Sequence, residues 1–266
     1  MYNDNIITLN KLYEEELEIN KNRLILATLL FNNRYGDLTD RIKDSKITYI
    51  NDEKFQSNGC CKYSLEGNHL SEDQILVKIY DRHNFDIQGT LIHELRHHLV
   101  AHSEKFDGRY LIAKRGLNEL TIDLFRYTSF KVGIGLEELY NSYITELMLK
   151  DIPNIKNTNI KDESFQNYIN NIGNRKYRAY REFVDFFMPL LTLEELTNFI
   201  DKETFNGNID KIESEFNICF SNIIKYEQLK RMVDYLFTHR HDERMKDEMS
   251  KNINEINKVY KKTMFS

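Results

Sequence analysis

Two prolines and ten glycines are all that interrupt 266 residues. These residue types break helices and shape turns, so a chain this poor in them is constrained to run mostly in long helices. An all-β sandwich, which needs frequent turns, is excluded. Hydrophobic residues make up 41% of the chain and charged residues 30%, enough to fill a core and solvate its surface, which rules out a disordered or fibrous chain. The formal net charge of −5 supplies no general attraction for nucleic acid or anionic lipid, so neither a nucleic-acid nor a membrane partner is expected.

Cys60 and Cys61 are adjacent and Cys219 is distant. Three such residues make no even disulfide framework, and no CxxC occurs, which points to a reducing compartment. The start Met1-Tyr-Asn-Asp-Asn lacks the basic and apolar regions of a secretory signal, and no run approaches the ~20 apolar residues of a membrane span. A cytoplasmic location is expected, leaderless export aside. The abundance of Lys, Asn and Ile accords with an AT-rich bacterial coding sequence.

Hydrophobic periodicity predicts a scaffold helix from Leu9 to Phe31. The short runs Ile47–Ile50, Cys60–Leu65 and Ile75–Tyr80, separated by Asn58-Gly59 and Gly67-Asn68, predict a small antiparallel sheet. Asp86 is a plausible N-cap for a helix over Thr90 to His102. A loop is expected over Ser103 to Gly116, then a second helix from Leu117 to Lys131 ended by Gly133 and Gly135. From Leu136 onward the pattern is helical almost throughout, with the basic cluster Arg175-Lys-Tyr-Arg178 read as a solvated helix start. The expected fold class is α+β, mostly helical, with a break near Asp151-Ile-Pro153 separating a catalytic subdomain at 1–150 from a helical subdomain at 151–266.

The string Leu91-Ile-His-Glu-Leu-Arg-His-His-Leu99 contains HExxH as His93-Glu94-Leu95-Arg96-His97. Residues four apart on a helix share a side, so His93 and His97 can hold one metal ion, with zinc expected at one per chain. Glu94, about 100° round the helix, can reach a water without binding the metal. With eight histidines in the chain, an accidental HExxH has a probability of roughly a few per cent, so a third ligand is required. Glu119, in Asn118-Glu-Leu-Thr-Ile-Asp123, can complete a two-histidine, one-carboxylate set. Asp123, four residues on, can accept a hydrogen bond from a ligand imidazole. A rival set on the same helix, Glu94, His98 and His102, has no fourth group. Tyr110, Tyr140, Tyr143, His239 and His241 are candidate donors to an oxyanion, and the sequence does not choose among them.

His93-Glu94-x-x-His97 followed by Asn118-Glu119-x-x-x-Asp123 resembles the gluzincins, the thermolysin-like zinc metallopeptidases, over about Thr90 to Asp123. The resemblance implies a zincin-like core with zinc held by His93, His97 and Glu119, Glu94 as general base and Asp123 orienting a ligand histidine. It also implies a peptide or protein substrate pairing with the strand near Ile75 to Tyr80; the helical C-terminal half, which the resemblance does not cover, is expected to form the other wall of the cleft. The alternatives are a catalytically silent zinc-bearing interaction or regulatory module, or a metallohydrolase acting on a non-peptide bond.

Overall fold

Helices supply most of the architecture, as the scarcity of Gly and Pro requires, and the fold class is α+β, mostly helical. The computed structural model describes residues 2–66, 69–126, 128–172 and 177–264. The expected turn at Gly67-Asn68 and residues 175 and 176 of the basic cluster lie outside them. In chain order, α1 (Tyr2–Leu12), α2 (Glu18–Tyr35) and α3 (Thr39–Lys43) precede β1 (Ile47–Ile50), β2 (Gly59–Glu66) and β3 (His69–Lys78). Next come α4 (Asn84–Leu99), β4 (His102–Phe106), β5 (Tyr110–Arg115), β6 (Asn118–Asp123), β7 (Thr128–Val132) and α5 (Ile134–Leu149). Seven helices follow: α6 (Ile152–Lys156), α7 (Glu163–Asn171), α8 (Arg181–Leu191), α9 (Glu194–Phe205), α10 (Ile209–Phe220), α11 (Tyr226–Thr238) and α12 (Glu243–Met264).

The chain divides into two units of discontinuous sequence. The first comprises Met1–Ser64, Ser71–Leu99 and Ile144–Tyr177. Its centre is α2, where every residue from Asn22 to Phe31 is buried, the mark of a helix enclosed on all sides. Helices α1, α3, α4 and α7 pack on it. A buried polar chain ties three of them together: Gln88 of α4 donates to the Arg23 carbonyl of α2 at 3.2 Å, and Tyr168 of α7 donates to Gln88 at 2.7 Å. A buried amide without such partners would cost ~1–3 kcal/mol. The single expected helix over Leu9 to Phe31 is two helices instead. Glu14, Glu15 and Glu16 follow the end of α1, where like charges meet the negative end of the helix dipole, and the chain turns there.

The three strands of this unit run in the order β1-β3-β2, and β1 pairs with β3 in parallel, Ile47 opposite Ile75. The sheet is therefore not purely antiparallel. Its middle strand is β3, whose Ile75, Leu76 and Val77 are buried; both its edges are taken, so it cannot pair with a substrate peptide.

The second unit comprises Leu65–Leu70, Val100–Tyr143 and Arg178–Ser266. It holds an antiparallel meander in the order β4-β5-β6-β7 where the sequence suggested a loop and a helix. Arg115 pairs with Asn118, so Gly116-Leu117 is a two-residue hairpin loop; Gly116 has φ +53, a value only glycine adopts freely. In the same unit α12 packs on α8, α10 and α11. Asp234 of α11 accepts hydrogen bonds from the backbone N–H groups of Gly133 and Gly135 at 2.5 and 2.8 Å, holding the start of α5. Helix α5 belongs to both units, with Ile134–Tyr143 in the second and Ile144–Leu149 in the first. Among the described residues no helix is long and apolar enough to cross a membrane.

Candidate metal centre

Helix α4 is buried on nearly all its faces, with Phe85, Ile87, Leu91, Ile92, Leu95 and Leu99 all in the core. Arg41 closes its C-terminus by donating to the Leu99 carbonyl at 2.5 Å. Arg96, wholly buried, donates through Nε to the Tyr35 hydroxyl at 3.3 Å. The charge in the middle of the motif thus points into the protein. The helix stops at Leu99, and His102 lies on β4, so the rival set Glu94, His98 and His102 does not occupy one helix.

His93 and His97 share a side of α4. Their Nε2 atoms are 3.2 Å apart and their rings meet edge-on, centroids 4.8 Å apart. Two nitrogens bound to one tetrahedral ion at 2.0–2.1 Å stand ~3.3 Å apart, so this spacing fits a shared zinc. Among the described residues His93, His97 and Glu138 of α5 are a group that could hold a metal ion, their ligand atoms all within 4.8 Å of one another.

Glu138 is the carboxylate of this group that the sequence reading did not single out. A signal was present: Glu137-Glu138 is an acidic pair opening a helix that continues Leu139, Tyr140, Tyr143, Ile144, and carboxylates among so many apolar residues need partners. Glu137 has one, accepting from the Leu117 N–H at 2.7 Å.

Glu119 and Asp123 do not lie on the helix expected for them. Both lie on strand β6, where residues four apart no longer share a helix face, and neither joins the imidazole group. Glu119 sits 3.5 Å from Lys114, its cross-strand partner, and is half-exposed. Asp123 is used up by other donors. Its Oδ2 accepts from Arg109 Nη2 and Nε at 2.7 and 3.2 Å, and its Oδ1 accepts from the N–H groups of Phe125 and Arg126 at 3.0 and 3.1 Å. The Arg109 hydrogen bond, helped by those backbone donors, holds the Asp123 carboxyl below its usual range. A lowered folded-state pKa contributes stability that is complete above the unfolded-state value near 3.9 and lost as pH falls through the folded value. Acid titration followed by circular dichroism is therefore expected to show a destabilising phase below about pH 4 that is smaller in Asp123→Asn; identical acid profiles would refute the assignment.

Glu94 is 7% exposed. Strand β2 lies against it: the Cys61 thiol is 3.2 Å from the Glu94 carbonyl oxygen and 3.6 Å from Oε2, donating toward both. A Cβ on Gly59 would stand 2.8 Å from Glu94 Cγ and Oε1 and 2.6 Å from Thr90 Cγ2, so only glycine lets the strand approach this closely. Burial, and then the Glu94 charge, push the Cys60 thiol up.

The candidate oxyanion donors are dispersed. Tyr140 is wholly buried and burial raises its pKa, Tyr110 lies under the Arg109 guanidinium at 4.8 Å, and His239 stacks on Tyr235 at 4.2 Å. Among the described residues neither His239 nor His241 belongs to the possible metal-ligating group. Compared with protein-family models, curated proteins and solved structures, the chain matches none.

Proposed function

We propose that the protein is a zinc-dependent metallopeptidase whose metal ligands are His93, His97 and Glu138. The observation that carries this reading is the 3.2 Å spacing of the two imidazole Nε2 atoms with a carboxylate from a second helix beside them. Two neutral imidazoles and one carboxylate form the donor set of a catalytic zinc, which leaves a position open. Bound there, zinc would lower the pKa of a water toward ~7 and polarise a carbonyl. Glu94 would take the proton of the attacking water and pass it to the leaving amine, a role that suits a carboxylate next to a ligand histidine and enclosed by β2. With β3 in the middle of its sheet, the backbone of β2 is the edge beside Glu94 that offers donors and acceptors to an extended peptide.

The enclosure of Glu94 favours a second reading, a zinc-bearing module without turnover, because a carboxylate packed under Gly59 and Cys61 has little room for substrate. Incubation of zinc-loaded protein with a peptide library, read by mass spectrometry, separates the two. The peptidase reading expects cleavage that a chelator abolishes and zinc restores. Stoichiometric zinc with no cleaved peptide would overturn it in favour of the second.

A further inference from the structure

The second unit contains a cavity of about 240 Å³ at α8, α12 and the connection between α11 and α12. Phe183, Phe186 and Leu236 give it an apolar lining, and Arg240, His241 and Lys246 line it with nitrogen donors. Glu182 is the one carboxylate in the lining. Lys246 is engaged, 3.0 Å from Glu243. Arg240 differs: its Nε donates to the Phe237 carbonyl at 3.1 Å, and its guanidinium rests 5.2 Å from the Tyr180 ring centroid and 5.3 Å from that of Phe237. Among the described residues no carboxylate pairs with it, nor does any group hydrogen-bond the His241 ring. Two aromatic faces therefore hold a guanidinium in place while its remaining N–H groups are uncommitted, the preorganised form in which arginine binds a carboxylate in two-pronged fashion.

The backbone adds a second observation. Tyr180, whose ring meets Phe237 edge-on at 4.9 Å, has φ +56 and ψ +46, a left-handed conformation that is costly for an aromatic residue. That cost is borne at the residue whose ring supports Arg240, and such strain gathers at ligand clamps.

We infer that this cavity binds a small organic carboxylate with an apolar or aromatic body. The body meets Phe183, Phe186 and Leu236, and the head meets Arg240 and His241. The volume lies below the ~300–1,000 Å³ of sites for drug-sized ligands, so the occupant is small. Glu182 disfavours a second negative charge, which selects a carboxylate over a phosphate dianion.

Isothermal titration calorimetry on the full chain tests this with 3-phenylpropionate, its neutral amide and phenyl phosphate. The carboxylate is expected to bind saturably in the roughly millimolar range, with the amide and the phosphate each at least about tenfold weaker. Arg240 is exposed, so Arg240→Gln should leave the circular dichroism spectrum unchanged and reduce carboxylate affinity to that of the amide. The proposal is overturned if the carboxylate does not bind, if the amide or phenyl phosphate binds as tightly, or if Arg240→Gln binds the carboxylate like the wild type.

Discussion

Glu94→Gln is expected to retain zinc and thermal stability while peptide cleavage falls by roughly 10²–10⁴, the contribution of a positioned general base. Glutamine has nearly the same shape, so it still fits beneath Gly59, and its amide oxygen still accepts from the Cys61 thiol. It lacks only the ability to take a proton. His97→Ala provides the opposite pattern: it removes an imidazole from a pair 3.2 Å apart, so metal and turnover disappear together, and the folding energy that metal binding contributes disappears with them. Elemental analysis, thermal unfolding and cleavage rate, measured on both variants, separate the roles. Full cleavage by Glu94→Gln would remove Glu94 from the chemistry, and full zinc content in His97→Ala would remove the imidazole pair from the metal.

Glu138→Gln is expected to weaken zinc binding at least about a hundredfold, whereas Glu119→Gln should leave it unchanged. Loss of even an outer-shell partner costs 10–100-fold in metal affinity, and a direct ligand contributes more. Glu138 belongs to the group whose ligand atoms lie within 4.8 Å of one another, while Glu119 is held on β6 beside Lys114. Competition with a chromogenic chelator measures both. The reverse result, Glu119→Gln losing zinc and Glu138→Gln keeping it, would restore the ligand set that the gluzincin resemblance implies.

The helical part of the fold was legible because its signal is local. Helices α10 and α11 begin and end where the apolar period and its boundaries place them, and α4 was visible in part, from the run beginning at Thr90 without Gly or Pro, although it starts earlier, at Asn84, and ends at Leu99. The meander from His102 to Val132 was not legible. Leu117, Leu120 and Leu124 fit a helical period, yet Leu120, Ile122 and Leu124 equally fit the alternation of a strand, and a short apolar run does not choose between them. The choice was made by pairing with β5 and β7 and by the Gly116-Leu117 hairpin, which are contacts at a distance in sequence. The choice of Glu119 as third ligand rested on that helical reading. With β6 read as a helix, Glu119 and Asp123 seemed to stand one helical turn apart; on a strand they are farther apart and answer to Lys114 and Arg109. The closeness of the two imidazoles was legible because it is set within a single helix, whereas Glu138 lies on α5, and nothing in HExxH specifies how far along the chain a third carboxylate lies.

Anomalous diffraction at the zinc edge, on crystals of protein purified without added metal or chelator, tests the central claim most directly. A single peak is expected within ~2.0–2.2 Å of His93 Nε2, His97 Nε2 and a Glu138 carboxylate oxygen. A zinc peak ligated elsewhere, or no peak at the imidazole pair in protein soaked with zinc, would contradict it.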